Sequence, residues 1–130
     1  MKKLGHLNRD ISRILASMGH TDCIVIADCG LPIPPDVECI DLSIALGTPS
    51  YFATLDSILA DFQVERAVLA SECLKQNPKV AAQAQALQGV AVEFVPHSEF
   101  KQLTRQARAI IRTGEASPYA NIVLYSGVIF

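Results

Sequence analysis

No apolar run in this sequence is long enough to span a membrane, and its start, Met1-Lys2-Lys3-Leu4-Gly5-His6, lacks the apolar stretch of a signal peptide. The expectation is no membrane association and a protein that remains cytoplasmic. An excess of one charge is also missing: 11 basic and 13 acidic residues are interspersed, for a formal net charge of −2 and a pI of about 5.8. Without a basic stripe, nucleic acid is not an expected partner. Cys23, Cys29, Cys39 and Cys73 form no CxxC pair and no Cys/His spacing typical of zinc. They read as reduced, small hydrophobic residues, and no metal or redox cofactor is expected. There is no GxSxG elbow, P-loop, GxGxxG turn or HExxH helix. Nor does any repeat, low-complexity tract or linker divide the chain, so residues 1–130 are expected to form one domain.

Apolar residues are abundant, at 50% of the chain with a mean hydropathy of +0.28. A domain of this size leaves much of its surface in water, so the surplus calls for more than a core. An apolar interface between copies of the chain accounts for it, and a homo-oligomer is expected.

The patterning alternates between helices and strands. Asn8 suits the N-cap of a helix carrying Ile11, Ile14, Leu15 and Met18, with Gly19 as its stop. Cys23–Ala27 is a short, β-branched run that reads as a buried strand. Beyond it come Asp28, Cys29-Gly30 and the stiff loop Leu31-Pro32-Ile33-Pro34-Pro35. Further strands are expected at Ile40–Ile44, Val64–Ala70, Val90–Val95 and Asn121–Tyr125. Helices are expected after Ser50, over Pro78–Leu87, and from Ser98 to near Gly114 with Phe100, Leu103, Ala107, Ile110 and Ile111 inward. The whole reads as a three-layer α/β/α domain with a mainly parallel central sheet.

In such folds ligands bind beyond the carboxyl ends of strands. Asp28 lies there, where it suits the amides of the following turn, the hydroxyls of a sugar, or the orienting and charging of a nearby imidazole. His97 also follows a strand end, with Lys101 one helical turn later; both fit a solvated helix start as well as a site. His20, between the first helix and first strand, suits a helix-end cap or a general acid, because an unperturbed imidazole titrates near neutral pH. Ser117-Pro118-Tyr119-Ala120-Asn121 reads as a structured turn. Taken alone, these residues define acid–base groups at strand ends and no substrate.

Several strings occur in a telling order: Leu7-Asn8-Arg9-Asp10-Ile11-Ser12, Gly19-His20-Thr21-Asp22, Asp28-Cys29-Gly30-Leu31-Pro32-Ile33-Pro34, Phe100-Lys101, Ile111-Arg112-Thr113-Gly114-Glu115 and Ser117-Pro118-Tyr119-Ala120-Asn121-Ile122. Together they resemble the D-ribose pyranase family, whose sister group comprises the L-fucose mutarotases. The resemblance covers essentially the whole chain. It implies a cofactor-free isomerase that interconverts the pyranose and furanose forms of D-ribose. It also implies a proton-donating His20, sugar contacts at Asp28, His97, Lys101, Tyr119, Ala120 and Asn121, and assembly into a decameric ring with sites at subunit contacts. A mutarotase for another monosaccharide such as L-fucose, and a non-catalytic sugar-binding module, are the competing expectations.

Overall fold

In the computed structural model, which describes residues 1–130, the first helix begins where the sequence puts it. The side-chain oxygen of Asn8 accepts from the amides of Asp10 and Ile11, both at 3.0 Å. Such a cap stabilises a helix by about 1 kcal/mol. Helix α1 (Arg9–Ser17) buries Ile11 and Ile14 and gives way at an extended Met18. Gly19 is not the left-handed residue of this turn; Thr21 is, with φ of 71°. Strand β1 (Cys23–Ala27) is buried along its whole length. Strand β2 (Glu38–Asp41) follows, then α2 (Tyr51–Leu59), where the Ser50 hydroxyl accepts from the Ala53 amide at 3.1 Å. The chain continues through β3 (Val64–Ala70), α3 (Cys73–Gln76), α4 (Pro78–Gln85), β4 (Ala91–Val95) and α5 (His97–Leu103). It ends in a 3₁₀ turn (Thr104–Gln106), β5 (Ala109–Arg112) and β6 (Ile122–Ser126).

The strands form one sheet in the order β2-β5-β1-β6-β3-β4. All run the same way except β6, which is antiparallel to both of its neighbours, β1 and β3. On one face α1, α2 and α4 cover a core of 20 buried residues that includes Ile24, Ile26, Leu55, Val80 and Ile111. The other face is covered more thinly, by Phe100 of α5 and by Leu31 and Val37 of the proline loop, over a core of 11. The expected three-layer arrangement around a mostly parallel sheet is therefore present.

The expected helix from Ser98 to Gly114 is not. After the 3₁₀ turn Ala107 is extended, and Ala109–Arg112 enters the sheet between β1 and β2. Burial explains the difference. Ile110 packs into the thinner core and Ile111 into the thicker one, both wholly buried. A strand covered on both faces is continuously apolar, and over a few residues its spacing also fits a helix. Two smaller corrections follow the same logic. Strand β2 ends at Asp41, leaving Ile44 outside it and exposed, and β6 begins one residue after Asn121. The end of β5 also explains Gly114, where a Cβ would stand 2.4 Å from the Ala45 carbonyl oxygen and 2.5 Å from that of Thr48. Only glycine lets the 45–48 loop lie so close.

Candidate functional site

Because β6 runs against its neighbours, its first residues lie beside the last residues of β1 and β3. At that edge of the sheet is a cleft of about 330 Å³, lined by Asp28, Gly30, Leu31, Pro32, Gln76, His97, Pro118, Tyr119 and Asn121. The volume is at the small end of ligand clefts, roughly 300–1,000 Å³. Its polar heart is a reciprocal pair. The Asn121 side-chain amide donates to Asp28 Oδ2 at 2.8 Å, and Asn121 Oδ1 accepts from the Asp28 backbone amide at 2.9 Å. The Gly30 amide donates to the other Asp28 oxygen at 3.0 Å, so the turn role and the cleft role of Asp28 coexist. Both carboxylate oxygens keep a lone pair for a further donor. Asn121 is 1% exposed and spends most of its amide on Asp28, which makes it chiefly the residue that aims Asp28.

His97 reaches the cleft from the first turn of α5. Its backbone amide is held by the Glu72 carboxylate at 3.1 and 3.0 Å. That carboxyl sits below its usual value, through bonding to its own amide first and to the His97 amide next. The His97 ring meets Tyr119 edge-on at 5.1 Å and stacks on Phe100 at 6.2 Å. Its Nδ1 is buried and has no protein partner. Tyr119 adopts φ of 56°, a conformation that costs a bulky residue energy and is held here by its surroundings. Part of that hold is Asn77, whose side-chain amide donates to Ser117 Oγ at 2.9 Å and to the Pro118 carbonyl at 2.8 Å. Ala120 is fully buried, so only its main chain can serve a ligand.

Two expected site residues lie elsewhere. Lys101 lines a neighbouring cleft of about 550 Å³ between the proline loop and α5, with Arg105 and Asp36. That cleft is larger, but it lacks a buried, converging polar set like the one around Asp28. His20 precedes β1 rather than following it, at the opposite edge of the sheet. The five residues of β1 alone separate the two edges by roughly 16 Å at about 3.3 Å per residue. There His20 Nε2 meets both oxygens of Glu65, at 3.1 and 3.0 Å. Within one copy of the chain, His20 and the cleft cannot touch the same small sugar.

Gln76 and Asn77 escaped the sequence reading. They sit around the start of an alanine-rich helix, where Asn-Pro reads as an ordinary boundary. Glu115 belongs with them. Its carboxylate accepts from the Tyr51 amide at the start of α2 and from the Ser117 amide, both at 3.1 Å, tying α2 to the loop that carries Tyr119. Burial pushes its pKa up, but the Ser117 amide and hydroxyl, with the Tyr51 and Ala116 amides, outweigh it and the net shift is downward. A lowered carboxyl stabilises the fold above its unfolded value, 4.5, and that contribution is lost as pH falls through the lower folded value. Glu115→Gln should therefore cost about 1.5–3 kcal/mol at pH 7, the range for hydrogen bonds to a charged group. The gap from wild type should narrow on acidification, as denaturant titrations at pH 7 and at about pH 3.5 would read out. A gap of equal size at both pH values would refute this role.

Over the whole length of both chains, the protein is 67% identical to the D-ribose pyranase of Chromobacterium violaceum. It is 58% identical to that of Halalkalibacterium halodurans, again over 100% of each. Among solved structures it resembles Bacillus subtilis RbsD in complex with D-ribose, with a TM-score of 0.97, 44% identity and full coverage of both chains. The fucose mutarotase of Streptococcus pneumoniae, solved with L-fucose, superposes with a TM-score of 0.73 at 25% identity over 95% of each chain. With its family model matched over residues 1–129, the chain belongs to the RbsD / FucU transport protein family.

Proposed function

We propose that the chain is a D-ribose pyranase, an isomerase that interconverts the six-membered and five-membered ring forms of D-ribose through the open-chain aldehyde. The observation that carries this reading is full-length likeness to relatives of that name and to a protein solved with D-ribose, joined to a cleft whose polar groups suit sugar hydroxyls.

The chemistry asks little of the protein. As the anomeric hydroxyl gives up its proton, the bond from C1 to the ring oxygen breaks, and that oxygen takes a proton. Reclosure through a different hydroxyl changes the ring size. An acid, a base and groups that hold the open chain suffice. His20 is the proton donor. Asp28 accepts from sugar hydroxyls in the position Asn121 gives it, His97 offers its free Nδ1, and Tyr119 and the Ala120 main chain close the cleft. Lys101 contributes from the neighbouring cleft rather than from the one around Asp28.

Since His20 and the cleft lie at opposite edges of the sheet, a second copy completes each site. Exposed apolar residues support this. Ile129 and Phe130 extend from the end of β6, on the His20 side, whereas Ile44 and Leu46 lie on the loop facing Cys29 and Arg112, on the cleft side. Two unlike patches at opposite ends favour a head-to-tail contact, which forms a ring when the rotation between copies closes. A ring-shaped decamer is the assembly we assign. The cytoplasm is its compartment: all four cysteines are unpaired, as a reducing environment leaves them, and no helix is long and apolar enough to cross a membrane.

Saturation-transfer NMR on a ribose solution tests the function. The protein should speed exchange between pyranose and furanose signals, and no acceleration at high protein concentration would leave a sugar-binding module instead. Faster exchange with L-fucose than with D-ribose would move the assignment to the mutarotase branch.

A further inference from the structure

Strand β3 is irregular where it meets β6. Val64 pairs with Ser126 and Arg66 with Tyr125, so β3 advances two residues while β6 advances one, and Glu65 is the extra residue. A bulge of this kind bends its strand and re-aims the side chain it carries. Here the side chain is aimed at His20, whose Nε2 lies 3.1 and 3.0 Å from the two carboxylate oxygens. The surroundings make room for this contact. Beside it runs Gly127, where a Cβ would stand 3.1 Å from the Glu65 Cβ and 3.5 Å from its Oε2.

His20 itself is held from both sides. The Thr21 amide donates to the Ser126 carbonyl at 3.0 Å, the Ser126 amide to the Asp22 carbonyl at 2.8 Å, and the Gly19 amide to the Asp22 carboxylate at 2.9 Å. Arg108 stands 3.9 Å from the same Asp22 oxygen that Gly19 bonds. Glu65 is therefore the charged partner that the His20 ring meets within its own copy. The two side chains are 52% and 46% exposed, and a pair so exposed adds little to stability. Its effect lies in where the ring's proton sits.

We propose that Glu65 is a positioning residue for His20, fixing a proton on Nε2 and leaving Nδ1 as the nitrogen that exchanges a proton with the sugar. This rests on the reading of His20 as the acid. An ionised carboxylate only accepts, so the nitrogen facing it must donate. In the imidazolium both nitrogens carry protons. As the anomeric hydroxyl gives its proton to Asp28 and the bond from C1 to the ring oxygen breaks, the Nδ1 proton passes to that oxygen, and the neutral ring keeps its Nε2 proton, bonded to Glu65. On reclosure the bare Nδ1 takes the proton of the attacking hydroxyl, and Asp28 returns its own to the new anomeric oxygen. A carboxylate behind a working histidine sets both tautomer and ring orientation in this way.

The test uses the assembled, full-length protein labelled with ¹⁵N at histidine, at a pH above the imidazole titration. The neutral His20 ring should be the Nε2–H tautomer in the wild type and a mixture of tautomers in Glu65→Ala. Ribose exchange by Glu65→Ala should fall about 10–100-fold, in kcat with KM for ribose little changed. An Nδ1–H tautomer in the wild type overturns the proposal, whether or not the variant folds. So does a folded Glu65→Ala that keeps the wild-type kcat. If His20→Ala is itself fully active, the reading of His20 as the acid fails. If His20→Ala is inactive and Glu65→Ala is not, only the role of Glu65 fails.

Discussion

His20→Ala should fold and assemble as the wild type does while losing most of its ring-exchange activity, by about 10²–10⁴-fold. The expectation of normal folding comes from position. His20 lies outside both cores, its side chain is 52% exposed, and its one side-chain partner is Glu65. The size of the loss is that of a single general acid, since the cleft still binds the sugar and still gathers its hydroxyls. Exchange between pyranose and furanose signals measures the activity, with circular dichroism and sedimentation as controls for fold and assembly. A variant that exchanged ribose at nearly the wild-type rate would remove His20 from the mechanism. The role would then pass to His97, whose ring lies in the cleft with a buried, unpartnered nitrogen.

Mixing two inactive variants should restore activity. In Asn121→Ala, Asp28 loses both of its bonds to Asn121, and homo-oligomers of this variant should be nearly as inactive as those of His20→Ala. If one copy supplies His20 and its neighbour the cleft, some sites in a mixed oligomer have both halves intact. With equal amounts and random assembly, the chance is one half for each part, so about a quarter of sites are whole. Unfolding the two variants together and refolding them should therefore return about a quarter of the wild-type rate. Asp28→Ala in place of Asn121→Ala should give the same fraction. No recovery, with mixed assembly proven by mass, would place both groups in one chain and contradict the separation imposed by β1.

Local signals were readable from the sequence because local physics decides them. Asn8 and Ser50 cap helices wherever the chain around them goes, and Cys23–Ala27 is a strand by its β-branched run. The cleft was partly readable for the same reason: Asp28 and His97 each follow a strand. What joins the parts is not local. Asp28 and Asn121 are 93 positions apart and meet only because β6 is reversed beside β1. No spacing announces that reversal, since a strand buried on both faces looks alike in either direction. Ile110 and Ile111 were misread for a related reason: only the slot between β1 and β2 makes a strand of them. Lys101 shares a helix with His97, yet it sits one turn farther on and opens onto different ground.

The reversed strand also joins the two halves of the chemistry. Strand β6 is five residues long. Asn121, at its head, holds Asp28, and beyond its tail Gly127 lies against Glu65 behind His20. Each chain thus carries a socket at one end and a plug at the other. Any open stack of such chains leaves one socket empty and one plug idle, however long it grows. A closed ring wastes neither, and it has as many working sites as chains.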